Sequence, residues 1–311
     1  MDSVPVDPLV SVVLPVHDTR PEFLRDAIES VRGQSESQWE LVIVLDAATP
    51  ACGSVASEMA ERDAARIAVI GETGGQPRGS SAARNLGVAH TRAPMIGFLD
   101  ADDVFEPQAL AERRSLLEAN PDVAMVYGPT LYWHSWTGDP ADQGRDHMPG
   151  LGVEAGAVQA PPAIVSRFIE GTAAVPCPCS ILVRRWAIDA IGGFDETFPG
   201  LYDDQAFYAR LGLCFPLLPT GQRLDRYRQH PESMTARASR ERGDEARRRF
   251  LDWLEAEMAA TGVIDAVLNE TIARERWKLQ HPHLARIFRI ARRAARRLVP
   301  GVMSRSLVPR A

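Results

Sequence analysis

The most informative stretch of this chain is IGFLDADD, at residues 96–103. An apolar run of strand length ends there in three carboxylates within four residues. A buried strand that ends in this way delivers its acids to the edge of a sheet, and in open α/β sheets ligands bind at that edge. Three carboxylates this close repel one another, and a divalent cation such as Mg²⁺ or Mn²⁺ relieves the repulsion. The alternative interpretation is a solvated, Asp-rich turn.

Strand-like and helix-like patterns alternate around this stretch. Short runs rich in Val, Ile and Leu predict buried strands at residues 10–16, 40–45, 66–70, 95–99 and 123–127. Apolar residues at helical spacing predict helices at residues 22–33, 53–65 and 107–119, and a further helix capped by Ser80 or Ser81. This alternation predicts an α/β fold with a doubly wound, mainly parallel central sheet.

The rest of the chain divides into a long loop, a mixed segment and a helical end. Residues 133–162 are rich in Gly, Pro, Asp and Trp and lack periodicity, which is typical of a lid or a substrate-binding segment. Strands at 180–183 and near 215–218 and helices at 185–191 and 205–211 follow. From residue 243 to residue 298 the pattern is helical and heavily charged. We therefore predict one domain at residues 1–240 and a helical, Arg-rich extension at 241–311.

Composition and charge argue against several classes of protein. Of the 311 residues, 45% are hydrophobic and 24% are charged, which is typical of a globular protein. The net charge of −6 argues against a nucleic-acid partner. The sequence has no run of about 18 apolar residues, the length that a membrane span requires. We therefore expect a cytoplasmic protein.

The C-terminal segment interleaves arginines with apolar residues. The arginines are Arg286, Arg289, Arg292, Arg293, Arg296 and Arg297. Such a segment can lie on an anionic membrane surface, which predicts a peripheral contact with the inner face of the membrane. The alternative is a solvated basic face.

Two further groups of residues are expected at the same sheet edge. Asp46 ends the second predicted strand, where a carboxylate can accept a hydrogen bond from a base N–H or a ribose hydroxyl. Its alternative role is that of a helix cap or turn residue. The glycines at residues 74–75 let backbone approach a ligand closely, and Arg84 lies about one turn into the next helix, within reach of a diphosphate. The alternative is a surface loop.

A fourth group is Asp203 and Asp204, with Arg228 and His230 further along the chain. The acidic pair is either catalytic or a helix cap, and His230 lies in a short polar segment typical of a loop at the edge of a site. The aromatic run YWHSW at residues 132–136 is interpreted either as a platform for a sugar or as a local anchor for the long loop.

Taken in order, these motifs resemble those of family 2 glycosyltransferases with the GT-A fold. The resemblance covers residues 8–236. Its motifs are SVVLPVH (11–17), SVRGQS (30–35), ELVIVLD (40–46), GG (74–75), SAARNLG (81–87), GFLDADD (97–103), GGFDE (192–196), YDDQ (202–205) and YRQHPES (227–233).

The resemblance implies an inverting transfer of a sugar from a nucleoside diphosphate of the UDP or dTDP type to an acceptor hydroxyl. It further implies a Mn²⁺ or Mg²⁺ ion and an acceptor that is a glycan or lipid-linked, in bacterial cell-surface polysaccharide or glycoconjugate synthesis. Asp204 would be the general base. Asp102 and His230 would hold the metal, supported by Asp103, Asp203 and Arg228.

The remaining residues that the resemblance assigns would bind the nucleotide sugar. Arg84 would face the diphosphate, Asp100 would lie near the ribose, and Asp46 would hold the base. The other residues expected to contact the donor are Pro15, Val16, His17, Gly75 and Ala101.

The chain departs from the family pattern at two points. The usual Asp-Asp-Gly-Ser after the second strand reads DAAT at residues 46–49, and the usual Glu-Asp pair is Asp203-Asp204. A Gln-x-x-Arg-Trp motif of processive synthases does not follow residue 204, which favours a single-transfer enzyme. The alternatives are a non-catalytic module that binds nucleotide sugars or glycans, and a sugar nucleotidyltransferase, whose Gly-rich basic loop does not match residues 17–21.

Overall fold

The computed structural model describes residues 7–198, 200–237 and 240–287. Its strands are β1 (Val10–Val16), β2 (Trp39–Ala48), β3 (Ile67–Thr73), β4 (Met95–Phe98), β5 (Val104–Phe105), β6 (Met125–Tyr127), β7 (Leu131–Trp133), β8 (Ile181–Arg184), β9 (Leu217–Pro219) and β10 (Asp225–Arg228). Its α-helices are α1 (Pro21–Arg32), α2 (Pro50–Arg62), α3 (Ser80–Ala89), α4 (Ala109–Ala119), α5 (Pro140–Gln143), α6 (Ala163–Glu170), α7 (Arg185–Ile191), α8 (Asp203–Cys214), α9 (Met234–Arg237), α10 (Arg240–Thr261) and α11 (Ala266–Gln280). Short 3₁₀ helices lie at Ser135–Thr137 and Pro178–Ser180.

The central sheet has seven strands in the order β3-β2-β1-β4-β8-β6-β9. Strand β8 runs antiparallel to β4 and β6, and the other neighbouring pairs are parallel. The predicted α/β fold with a mainly parallel central sheet is therefore confirmed. Because β1, β2 and β4 run side by side in one direction, their carboxyl ends meet at one edge, which is where the acidic stretch emerges.

The central strands are apolar on both faces because helices cover both faces. Along β1, Val12 and Leu14 pack into the core under α1, α2 and α4, whereas Val13 packs into the core under α3, α6 and α8. Side chains of successive strand residues point to opposite faces of the sheet. A continuous apolar run is therefore buried on both faces. Helix α1 buries five residues at helical spacing against the first of these cores: Phe23, Leu24, Ala27, Ile28 and Val31.

A second, three-stranded sheet has the order β5-β10-β7. Strand β10 pairs antiparallel with β5, directly after the acidic stretch, and parallel with β7. Its sequence, DRYR, is polar and carries no strand pattern, so no strand was predicted there. This pairing brings Arg228 and His230 beside the acidic stretch.

Several local predictions differ from the structure. Strand β2 continues past Asp46 to Ala48, through an irregularity at which Ala47 has a φ of 54°. Helix α3 is preceded by Gly79 at its N-cap, and neither Ser80 nor Ser81 caps it, because the Ser80 hydroxyl donates to Asp203 instead. The amphipathic helix α6 was not predicted.

Over the described residues, the predicted C-terminal helical region contains α10, α11 and a further helical stretch at residues 282–287. Asp265 caps α11, accepting a hydrogen bond of 2.7 Å from the backbone N–H of Leu268. Helix α10 packs on α8 and α11 on α6, and their buried side chains join the core beneath those helices. The domain boundary at residue 240 stays a prediction. Among residues 7–287 as described, no helix has the length and apolarity to cross a membrane.

The arginine cluster of the C-terminal segment falls mostly beyond the described ranges. Arg286 is exposed near the end of the described chain. The other members lie outside the described residues: Arg289, Arg292, Arg293, Arg296 and Arg297.

Candidate functional site

The predicted site residues meet at the carboxyl edge of the central sheet, between the ends of β1, β2 and β4 and the start of α8. Hydrogen bonds join them into three groups. Arg84 links Asp100 to Asp203, His230 contacts Asp102, and Asp46 holds the loop before α3.

Arg84 bridges two of the predicted acidic groups. Its guanidinium donates to Asp100 Oδ1 at 2.8 Å and to Asp203 Oδ2 at 2.9 Å, and its side chain is only 5% exposed. Burial lowers the pKa of Arg84, but the charges of Asp100 and Asp203 raise it by more, so the guanidinium stays charged. The Ser80 hydroxyl donates a further 2.5 Å bond to Asp203. The two carboxylates therefore share one buried cation.

Asp204 follows this ion-paired group at the first turn of α8 and has a different environment. Its Oδ1 accepts a hydrogen bond of 2.7 Å from the backbone N–H of Gln205. Burial raises the pKa of Asp204 to about 7; the neighbouring charge of Asp203 adds to the shift and Arg84 opposes it. A carboxyl with a pKa near neutrality can accept a proton and release it again, which suits a general base.

The loop that leads into Asp204 ends in an unusual backbone conformation. Tyr202 has a φ of 70°, in the left-handed region that residues other than glycine rarely adopt. Its ring stacks on Phe250 of α10 at a centroid distance of 5.1 Å. The C-terminal helices thus hold the residue that leads into the acidic pair.

Asp102 and His230 form the part of the site that fits a divalent cation. Their Oδ2 and Nε2 atoms are 2.9 Å apart, and the His230 side chain is 6% exposed. The other ring nitrogen, Nδ1, has no hydrogen-bond partner among the described residues. Within those residues no cluster of three or more His, Cys, Asp or Glu side chains is arranged to hold a metal. The pair fits an ion that takes its remaining ligands from a diphosphate and water, as Mg²⁺ commonly does.

Asp103 and Arg228 fix the position of Asp102 through hydrogen bonds to the backbone. Asp103 is fully buried and accepts a hydrogen bond of 2.9 Å from the backbone N–H of Arg228. Burial raises the pKa of Asp103 well above its usual range, and the charges of Asp102 and Asp100 add to the shift. The Arg228 Nε donates to the backbone carbonyl of Asp102 at 2.7 Å.

Aromatic rings surround the Arg228 guanidinium. Its Cζ lies 4.2 Å from the ring centre of Phe23, 4.7 Å from that of Trp133 and 5.5 Å from that of Trp136. The Trp136 Nε1 also donates to the Gln229 carbonyl at 2.8 Å. Of the two interpretations of the aromatic run, these contacts favour the local anchor for Trp133 and Trp136.

Replacing Arg228 by Lys should weaken Mn²⁺ binding about 10- to 100-fold, the usual cost of losing a residue that orients a metal ligand. A lysine keeps the charge but cannot stack as a planar group or hold the Asp102 carbonyl in the same geometry. Titration of Mn²⁺ followed by electron paramagnetic resonance measures the change. Arg226→Lys on the same strand is the matched control, because Arg226 pairs with Glu106 outside the site. Equal losses in both variants would contradict a positioning role for Arg228.

The residues that were predicted to hold the base lie around Asp46. The Asp46 carboxylate accepts hydrogen bonds from the backbone N–H of Arg78 at 2.7 Å and of Gly79 at 3.0 Å. The exposed His17 ring contacts the Asp46 carbonyl at 2.7 Å through Nδ1, which therefore carries the proton. Asp46 thus ties the Gly-rich loop to β2, which matches its alternative role as a turn residue.

The remaining predicted residues lie around this group with less direct contact. Pro15 and Val16 end β1 beside β2, and Ala101 is buried in the turn after β4. Gly75 has a φ of 86°, and a Cβ added there would have open space around it. Residues 74–78 of this loop are exposed, at the mouth of the site.

Sequence reasoning missed three polar residues near the acidic pair. Ser80 was interpreted as a cap, Cys177 was given no role, and Tyr132 was noted without a partner. Burial raises the pKa of the Tyr132 hydroxyl, and the neighbouring Cys177 and Asp204 add to the shift. Tyr132 and Cys177 both lie far from Asp204 in the sequence. Their residue types were therefore the only signal that could have marked them as candidates, because no sequence spacing links them to Asp204.

Comparison with known families and proteins gives consistent matches. The family model described as "Glycosyl transferase family 2" matches residues 11–187. The O-antigen biosynthesis protein RfbC of Myxococcus xanthus is 40% identical over 121 residues, which is 39% of this chain and 9% of RfbC. The chain spans less than half the length of the curated relatives that it matches.

Solved structures resemble the fold at low sequence identity. Crystalline S. aureus TarS in complex with UDP-GlcNAc has a TM-score of 0.66 at 14% identity, covering 86% of this chain and 71% of that chain. The mannosyltransferase PcManGT from Pyrobaculum calidifontis, in complex with GDP-Man and Mn²⁺, has a TM-score of 0.58 at 17% identity, covering 95% and 82%. These likenesses concern the fold, and they confirm the predicted GT-A architecture.

Proposed function

Because this chain belongs to glycosyl transferase family 2, we propose that it moves a sugar from a nucleoside diphosphate of the UDP or dTDP type to an acceptor hydroxyl, with inversion. One observation carries the proposal: Asp204, with its pKa raised to about 7, directly follows Asp203, which the buried Arg84 joins to Asp100 of the acidic stretch. The relative named for O-antigen biosynthesis supports a role in cell-surface polysaccharide assembly. The acceptor is then a glycan or a lipid-linked glycan.

In this mechanism Asp204 takes the proton of the acceptor hydroxyl as that oxygen attacks the anomeric carbon. The new carbon–oxygen bond forms on one face of the sugar while the bond to the diphosphate breaks on the other. A single displacement inverts the anomeric carbon and needs no covalent enzyme intermediate. Arg84 keeps Asp100 and Asp203 paired, so neither carboxylate competes with Asp204 for the proton.

The rest of the site binds the donor in this proposal. Asp46, His17 and the backbone of residues 15–16 hold the base, Asp100 lies near the ribose, and the loop at 74–79 closes over the nucleotide. Asp102 and His230 would hold a Mn²⁺ or Mg²⁺ ion, whose charge would offset the negative charge that develops on the leaving diphosphate. Asp103 and Arg228 keep Asp102 in position.

A thermal-shift screen of nucleoside diphosphates and nucleotide sugars, with and without Mn²⁺, tests this function. A ligand that binds only the folded state raises the melting temperature, so one nucleotide should give a rise of a few degrees that requires Mn²⁺. The Asp102→Ala variant should lose this Mn²⁺-dependent rise, whereas Asp189→Ala, at an exposed position on α7, should keep it. The absence of a shift with every nucleotide would contradict donor binding.

The same preparation distinguishes the enzyme from a binding module on the same fold. The proposed enzyme should release nucleoside diphosphate from the identified donor, slowly with water and faster with an acceptor. Mn²⁺-dependent donor binding without any release would favour the non-catalytic alternative.

The rate of transfer should depend on pH through Asp204. Its base form is the carboxylate, which predominates above a pKa of about 7. We therefore expect the rate at saturating donor to rise about tenfold per unit below pH 7 and to level off above it. Stopped assays of nucleotide release between pH 5.5 and 9 measure this profile. A flat profile below pH 7 would count against Asp204 as the base.

A further inference from the structure

An open cavity of about 340 Å³ lies between the segment that follows β6 and the segment that precedes the second 3₁₀ helix. Residues 128–132, 149–151 and 171–177, together with Phe168, contribute its walls. Its volume falls within the range of small-molecule sites, which are usually apolar with a few polar groups that set orientation. We propose, on the basis of the function above, that this cavity binds an apolar group carried by the acceptor, such as an alkyl or aryl aglycone.

The side chains that line the cavity favour an apolar ligand. Among the described residues that line the cavity none is charged, and the polar side chains are those of Thr130, Tyr132 and Cys177. The rest of the lining consists of glycine, alanine and larger apolar residues, including Leu151 and Val175. A sugar inserted here would leave most of its hydroxyls without partners, which is costly, whereas an alkyl or aryl group would gain by leaving water.

Two loops that contact each other form part of the cavity wall. The backbone N–H of Ala174 donates to the Leu151 carbonyl at 3.0 Å. A Cβ added to Gly152 would lie 1.9 Å from the Thr172 carbonyl oxygen, so the two loops are in direct contact. Part of the long loop predicted as a lid or substrate-binding segment therefore forms one wall of a preformed site.

One wall of the cavity lies close to the start of α8. Phe168 and Val175, which line the cavity, also line a small void together with Gln205 and Tyr208 of α8. Gln205 directly follows Asp204 in the chain. An acceptor whose hydroxyl lies at Asp204 would therefore extend its attached group along this wall into the cavity.

Alkylation of Cys177 tests the proposal in the whole chain. In a Cys214→Ser background the exposed thiol is removed, and Cys52 and Cys179 are buried. The rate of Cys177 modification by iodoacetamide is measured by peptide mass spectrometry with Mn²⁺ and UDP present. Octyl β-glucoside below its critical micelle concentration should slow the reaction at least threefold, and methyl β-glucoside should not. If the two glucosides slow the modification of Cys177 equally, or if neither slows it, the proposal is overturned.

Saturation-transfer NMR of octyl β-glucoside gives a second, independent measurement. The octyl protons should show transfer from the protein, and Ala174→Trp or Leu151→Asp should abolish it by filling or charging the cavity. Ala141→Trp, at an exposed position on α5, is the matched control and should leave the signal unchanged. An unchanged signal in both cavity variants would also overturn the proposal.

These outcomes separate the cavity from the proposed function. If the nucleotide and Mn²⁺ thermal shift is retained but the octyl group neither protects Cys177 nor receives saturation, the cavity proposal alone fails. If the thermal shift is absent as well, the proposed function fails with it.

Discussion

Replacing Asp204 by Asn should reduce sugar transfer by about 10²- to 10⁴-fold, the usual contribution of a general base, while donor binding is retained. The amide occupies the same space but cannot take the acceptor proton. The Arg84 pairs with Asp100 and Asp203 do not involve the Asp204 side chain, so they should persist. Initial-rate kinetics and calorimetric titration of the donor measure the two quantities separately.

Stability provides the control for this variant. Because burial raises the pKa of Asp204 to about 7, the folded protein binds its proton more tightly than the unfolded chain does. That contribution to stability is present at acid pH and is lost as the pH rises through 7, where the buried carboxylate becomes charged. At pH 8 the Asn variant should therefore melt no lower than the parent protein. Loss of both transfer and donor binding in a folded variant would contradict the assignment of Asp204 as base.

Replacing Arg84 by Gln should lower the free energy of unfolding by about 3–5 kcal/mol, the usual cost of breaking a buried ion pair. Asp100 and Asp203 would then face each other without the cation that both contact now. Urea unfolding at pH 8 measures the loss. At pH 5 the loss should be smaller, because burial already raises the pKa of Asp100, and a protonated carboxyl needs no counter-charge.

Two further variants define the role of Arg84. Arg62→Gln removes an exposed guanidinium that pairs with Glu58 on α2 and should change stability by about 0.5 kcal/mol or less. Arg84→Lys keeps the charge but cannot donate to two carboxylates in the fixed geometry of a guanidinium, and it should give an intermediate loss. A loss of less than about 1 kcal/mol in Arg84→Gln would show that water or another cation serves the two carboxylates equally well.

The pattern of the sequence alone was sufficient for the central sheet. The apolar run at residues 10–16 and the acidic stretch that follows residues 95–98 carry local signals, because a strand buried on both faces must be apolar throughout. Helix α1 likewise shows its buried face through spacing alone. Asp46 and the acidic stretch were identified from the sequence as well, since each follows such a strand.

The sequence was insufficient where an element depends on distant partners. Strand β10 is polar, and it exists because it pairs with β5 and β7, which come more than ninety residues earlier in the chain. Helix α6 was not predicted because it directly follows residues 133–162, a long segment that lacks periodicity. Local pattern cannot reveal a strand whose stability comes from its neighbours.

The charges of the site likewise depend partly on the local sequence and partly on distant contacts. Local sequence was enough to show which carboxylates stand at the sheet edge. The pairing of Arg84 with Asp203, 119 positions away, arises only from the three-dimensional fold, and so does the position of Asp204 beside them, partly buried and without an ion-pair partner among the described residues. The reason is physical: a side chain's identity is local, whereas its pKa and its partners depend on the charges and the low-dielectric surroundings that folding brings to it.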